Sequence, residues 1–275
     1  MTACHGKRII SAAVLICLMF SCAISFALDE IKLKNGNVIK GSIMKTGKSG
    51  ISFELAGEKA VITVPLGNVD RLNIETPVSF RLAENSYFAN SYDQAYENYM
   101  KTIDRYGGFS YGEDAFFKAA DCQIKLGNAG KAIELYNMYL GDYPGAKSVN
   151  RARMKLAVIL AKDGDYDGAV KAYDAVIRSR DEAQRLDAYY GSAEAYFSKG
   201  AYEQALVNYL KIAVLYYDKG KIASEAKFKS GECYEKLGER KMALVTYKEI
   251  VEEYPKSEVA VKSEAKIKEL EKNGK

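Results

Sequence analysis

The chain of 275 residues sets 40 Lys and Arg against 36 Asp and Glu, a formal charge of +4, and holds 21 tyrosines, one histidine and no tryptophan. A charge so close to balance gives no reason to expect a nucleic acid or an anionic membrane surface as partner. The one histidine, His5, stands in an N-terminal leader, so the rest has no Ser-His-Asp or Cys-His pair, no HExxH and no imidazole ligand, and neither GxxxxGK[ST] nor GxGxxG occurs. No catalytic residue, metal or cofactor is expected.

The first 27 residues read as a signal peptide. Lys7 and Arg8 form a basic start, Ile9 to Phe20 is an uncharged apolar run, and Ser25-Phe26-Ala27 puts small residues at the two positions a signal peptidase reads. Cleavage after Ala27 would leave 275 − 27 = 248 residues and a charge of +2. Two other outcomes stay open. Lipidation at Cys22, behind the poor lipobox Met19-Phe20-Ser21, would make an outer-membrane lipoprotein, and an uncleaved run would be an anchor. A membrane enters as partner only in those cases.

Residues 28–76 read as a small all-β, barrel-like domain. Ile31 and Leu33 alternate, Asn35-Gly36 signals a type I′ hairpin, and Val38 to Ile43 answers as a second strand. After a turn at Gly47 to Gly50, Ile51, Phe53 and Leu55 alternate. Ala60 to Val64 and Val69 to Ile74 complete five short strands. Leu33-Lys34-Asn35-Gly36 with Gly41 and Ile43 resembles Sm-like and SH3-like barrels. Sm barrels bind RNA, but a leader that exports the chain argues against carrying that over. Packing on, orienting or tethering the rest of the chain is the expected role.

From residue 77 a repeat takes over. Ala95, Ala132, Ala169, Ala205 and Ala243 recur at steps of 37, 37, 36 and 38, each followed four residues on by Tyr99, Tyr136, Tyr173, Tyr209 or Tyr247. Five residues before each alanine stands Asn90, Gly127, Gly164, Gly200 or Gly238, where a helix can stop and turn. Such a period marks an α-helical solenoid, in which one helical hairpin cannot bury its own apolar face and stacks on the next. In the fourth repeat the spacing predicts helices over Leu186 to Lys199 and Tyr202 to Tyr216. Five hairpins span 77–256. Ser257 to Lys272, within a 257–275 cap, is an unpaired helix with Ala260, Ile267 and Leu270 facing the core and Lys262, Lys266, Lys268, Glu269 and Lys272 facing water. Cys122 and Cys233 share one register position three repeats apart. Repeats stacked about 10 Å apart put them beyond disulfide reach, so they read as small buried thiols.

Gly164-Asp165-Tyr166-Asp167-Gly168-Ala169 through Tyr173, and Ala195-Tyr196 through Gly200-Ala201-Tyr202-Glu203-Gln204-Ala205 to Tyr209, resemble tetratricopeptide repeats, as do the closing Tyr143-Pro144 and Tyr254-Pro255. The resemblance covers roughly 77–272. Steps longer than the usual 34 or so, with Ser148 or Ser257 after the closing Tyr-Pro, look most like the periplasmic branch. That branch includes the outer-membrane protein assembly lipoprotein and the Tol-Pal-associated coordinator. Asn150 to Lys162 departs from the pattern, lacking the glycine and tyrosine of its first helix.

The resemblance implies that the fifth and ninth residues of each first helix face a concave groove. The fifth positions are Phe80, Phe117, Met154, Tyr190 and Phe228. The ninth are Glu84, Asp121, Val158, Glu194 and Glu232, and one turn on come Tyr87, Ile124, Ala161, Phe197 and Glu235. Of these, Phe80, Glu84, Tyr87, Phe117, Asp121, Tyr190, Glu194, Phe197, Phe228 and Glu232 are the candidate protein-binding residues. Rings beside carboxylates suit an apolar segment carrying Lys or Arg. Equally, the rings can simply seal one first helix against the next. The basic clamp that some members close on a terminal carboxylate is absent. The expected function is a non-catalytic protein-interaction scaffold of the cell envelope, in the periplasm. A structural, peptidoglycan-associated component with the solenoid as spacer is the alternative, and a carboxylate enzyme using Glu232 and Glu235 is a third reading.

Overall fold

The computed structural model describes residues 28–47 and 49–272, so the leader and the choice between Ala27 and Cys22 lie outside the described residues. Five strands, β1 (Asp29–Leu33), β2 (Val38–Gly47), β3 (Gly50–Leu55), β4 (Val61–Val64) and β5 (Val69–Asn73), pair antiparallel in the order β4-β3-β2-β1-β5. Alternation puts Ile31, Ile43, Ile51 and Phe53 on one face, all fully buried. Register shifts between Lys32 and Leu33 and between Ile43 and Lys45 bend the sheet around that core.

Two details differ from the sequence reading. The Asn35-Gly36 hairpin is not type I′, which needs positive φ at both central residues. Here the Gly36 N–H donates to the Leu33 carbonyl (2.9 Å), and Gly36 (φ 91°) takes positive φ while Asn35 does not. That is a type I turn closed by a glycine bulge, whose third loop residue absorbs the twist. Strand β2 also runs past Ile43 to Gly47, because the bulge lets pairing resume and continue to Gly47 opposite Gly50.

Eleven α-helices follow among the described residues: α1 (Val78–Phe88), α2 (Tyr92–Tyr106), α3 (Tyr111–Lys125), α4 (Ala129–Asp142), α5 (Val149–Lys162), α6 (Tyr166–Ile177), α7 (Glu182–Lys199), α8 (Tyr202–Leu215), α9 (Gly220–Lys236), α10 (Arg240–Glu253) and α11 (Glu258–Lys272). They pack in sequence as five hairpins and a final single helix. The five repeat alanines are completely buried, and their tyrosines are at most 5% exposed. An alanine lets the two helices of a hairpin cross closely, and the ring one turn on fills the space beside the crossing.

Each hairpin turns at its positive-φ residue, Asn90 (58°), Gly127 (79°), Gly164 (87°), Gly200 (84°) or Gly238 (76°). At Gly200 the Ala201 N–H reaches back to the Tyr196 carbonyl (2.9 Å) and the Gly200 N–H to that of Phe197 (3.0 Å), so the helix end leaves few bare carbonyls. Helix α7 starts four residues before the predicted Leu186, because the Asp181 side chain caps it by accepting the Gln184 N–H. In α11, Ala260 is buried and Ile267 and Leu270 pack on the last core. Lys266 departs from its expected solvent position, lying 3.1 Å from Glu235 of α9.

The sheet is fastened to α2. Tyr106 inserts into the β core, and Arg105 donates to the Ile43 carbonyl. On the other side of that residue the Ile43 N–H donates to the Asp29 carboxylate (3.0 Å), whose burial raises its pKa against the lowering pull of the Ile43 N–H and Arg105. Cys122 and Cys233 are free and fully buried, and burial pushes their thiols up to about 11 and about 12. Since Ala205 is completely buried, Ala205→Leu is expected to overpack the α7–α8 crossing and cost about 1–3 kcal/mol. Urea unfolding measures this, and an unchanged midpoint would place Ala205 away from the crossing.

Candidate functional site

The predicted groove residues divide into two groups. In the N-terminal half they are spent inside the array. Phe80 is 9% exposed against Tyr99 and Tyr111, with ring centroids 5.8 and 5.1 Å away. Phe117 is 6% exposed between Tyr136 and Tyr139, with the Arg151 guanidinium 4.1 Å above it. These rings seal helix to helix. Their acidic neighbours are occupied as well: Glu84 accepts from Tyr99 and from Lys118 of α3 (2.7 Å), and Tyr87 donates to Asp121.

The same bond recurs at the other end. Tyr209 donates to Glu194, and Tyr247 donates to Glu235 (2.5 Å). Burial, followed by the accepting carboxylate, raises the pKa of Tyr99, Tyr209 and Tyr247 far above the ordinary tyrosine value, so each stays a neutral donor. Lysines complete the neutralisation, with Lys229 at 2.8 Å from Glu232 and Lys266 at 3.1 Å from Glu235. Burial pulls Lys229 down, but Glu232 and Glu194 outweigh it and hold the ammonium above the usual lysine range. The Lys229 ammonium also lies 5.4 Å from the centre of the Phe197 ring. Glu232 and Glu235, suggested above as an acid–base couple, are thus each held in an ion pair.

Three of the predicted residues meet in one place. Tyr190, Phe228 and Glu232 line a cavity of about 760 Å³ bounded by α7, α9, the α10–α11 turn and the start of α11. Glu194 and Phe197 stand behind it, bonded to Tyr209 and covered by Lys229. Tyr190 packs edge-on against Tyr209 (5.9 Å) and Phe228 tilts against Tyr247 (5.4 Å), so each ring is half-buried, with one side in the core and one toward the cavity. A half-formed aromatic pocket with polar groups at its rim is the usual form of a ligand or partner site.

The sequence reading missed Lys221, Glu225, Lys229, Tyr254, Ser257, Glu258 and Lys262, which also line the cavity. Lys229 had a signal: like Lys118 it stands 14 residues before its repeat alanine, and Lys266 follows it by 37. The others come from the start of α9, the closing turn and the cap, whose approach to the groove depends on how α11 stacks. At the third repeat the charge pattern breaks, since Val158 holds the acidic position and Gly191 the lysine position of the next repeat. A side chain at Gly191 would collide with the Tyr173 ring, 2.3 Å from the nearest atom, so only glycine admits that tyrosine.

Two profiles described as tetratricopeptide repeat match the chain, one over residues 114–146 and 225–257 and the other over 154–221. No curated protein matches the sequence. Among solved structures, the MamA protein aligns with a TM-score of 0.51 at 20% identity, covering 65% of this chain and 91% of that one. A tetratricopeptide repeat protein from Parabacteroides merdae gives 0.53 at 12%, covering 70% and 72%. YrrB, described as a TPR protein with an unusual peptide-binding site, gives 0.50 at 14%, covering 68% and 90%. At these identities the likeness is one of fold. The α-helical array of this chain, residues 78–272, is a solenoid of tetratricopeptide repeats that follows a small antiparallel β-sheet.

Proposed function

We propose that the chain is exported to the cell envelope and acts there as a non-catalytic scaffold, holding a protein or peptide segment against the concave wall of its repeats. The observation that carries this reading is the cavity between α7, α9 and α11, where Tyr190 and Phe228 each keep one side of the ring open. Tetratricopeptide repeats generally mediate protein–protein interaction, and a peptide-binding site is described for YrrB. Export rests on the leader, and the long repeat step and Tyr-Pro closures favour the periplasmic branch of these proteins. The β-sheet, fastened to α2 through Tyr106 and Arg105, presents the array in a fixed orientation to whatever holds the N-terminus.

Two measurements test this. Intact mass of the exported form is expected to correspond to a chain beginning at Leu28, and a diacylated Cys22 would instead place the protein on a membrane leaflet. Capture from envelope extracts should give a stoichiometric protein partner whose affinity falls by about 2 kcal/mol, roughly thirtyfold, on Phe228→Ala or Tyr190→Ala. Melting of the same variants separates this from a sealing role. Lower stability with unchanged affinity of the folded fraction would remove the cavity as the contact, and retention on cell-wall sacculi alone would favour a spacer.

A further inference from the structure

We infer that the segment held in the α7–α9–α11 cavity is uncharged where it makes contact: a short run of polypeptide offering aromatic or aliphatic side chains and no formal charge. This rests on the reading of that cavity as the partner site and adds the chemistry of its occupant. The lining contains three lysines and three glutamates, and they are paired one to one. Lys229 meets Glu232 at 2.8 Å, Lys262 meets Glu258 at 2.8 Å, and Lys221 approaches Glu225 at 3.9 Å. The acidic residue behind the wall, Glu194, already accepts from Tyr209.

The innermost pair decides the matter. The side chains of Lys229 and Glu232 are only 30% and 26% exposed. A partner's Lys or Arg would have to displace Lys229 from Glu232, leaving that ammonium partly buried without its counter-charge. A partner's Asp or Glu would have to displace Glu232 from Lys229, with the mirror-image cost. In a partly buried pair, the counter-charge lost in such an exchange offsets what the substitute contact returns. Glu232 Oε2 has the Lys229 ammonium at 2.8 Å as its counter-charge and no aligned hydrogen bond, and the apolar part of the lining is one side each of Tyr190 and Phe228, with Tyr254 and Val259 beside them. The cavity volume is within the range of about 300–1,000 Å³ found for sites that take drug-sized ligands, enough for a short run of side chains.

The test titrates the full chain, followed by NMR, with three capped dipeptides: N-acetyl-phenylalanyl-leucinamide and its counterparts with arginine or aspartate in place of leucine. The neutral probe is expected to shift resonances of Ser224, Phe228 and Val259, with an affinity that changes by less than about twofold between low and high salt. Both charged probes should bind at least roughly fivefold more weakly. A charged probe that binds more tightly than the neutral one, with an affinity that falls as salt rises, overturns the inference while the cavity remains a binding site. Failure of all three probes to perturb the cavity overturns both.

Discussion

Three of the five hairpins depend on where a buried tyrosine places its hydroxyl. A ring four residues past a close helix crossing fills the hairpin core, but its polar tip arrives in an apolar interior. An unbonded hydroxyl there costs about 1–3 kcal/mol. Repeats one, four and five solve this alike: Tyr99, Tyr209 and Tyr247 donate to Glu84, Glu194 and Glu235 on the first helix of their own hairpin. The bond joins the two helices of a hairpin, so it sets their rotation as well as satisfying the donor.

That arrangement decides what the concave wall can offer. A carboxylate used to accept a tyrosine is withdrawn from partner binding, and the lysines Lys118, Lys229 and Lys266 withdraw more of the charge. The N-terminal part of the wall closes further, because Phe80 and Phe117 are buried against neighbouring tyrosines. The C-terminal part is more open, because Tyr190 and Phe228 each pack on one tyrosine where Phe80 and Phe117 pack on two, and beside Phe228 α11 stacks on α9. The first turn of α11, with the closing Tyr254, walls off a cavity instead of filling it.

Most of the fold was legible in the sequence because it rests on local, periodic chemistry. The alanine, the tyrosine four places on and the positive-φ residue five places before it each have one physical job, and the spacing alone placed all fifteen correctly. Two boundaries were harder to read for different reasons. The start of α7 depends on a cap at Asp181 outside the periodic pattern, and the Asn35-Gly36 turn depends on one φ sign that the dipeptide does not specify. The site was legible only in part. Register put Tyr190, Phe228 and Glu232 on one face, and they line one cavity, but burial is a property of the neighbour. Nothing in Phe80 distinguishes it from Phe228 until Tyr111 is seen to cover it. The same limit applies to the carboxylates, whose register was evident while their tyrosine partners, twelve or fifteen residues on, were read only as packing.

The central claim is that tyrosine and carboxylate act as one unit within a hairpin. A double-mutant cycle of Tyr209→Phe and Glu194→Gln, read by urea unfolding, addresses it directly. The account predicts a coupling energy of about 1–3 kcal/mol, the size expected for a partly buried hydrogen bond to a charged acceptor. Single-mutant effects that add to within about 0.3–0.5 kcal/mol would contradict it, leaving Glu194 free to serve a partner.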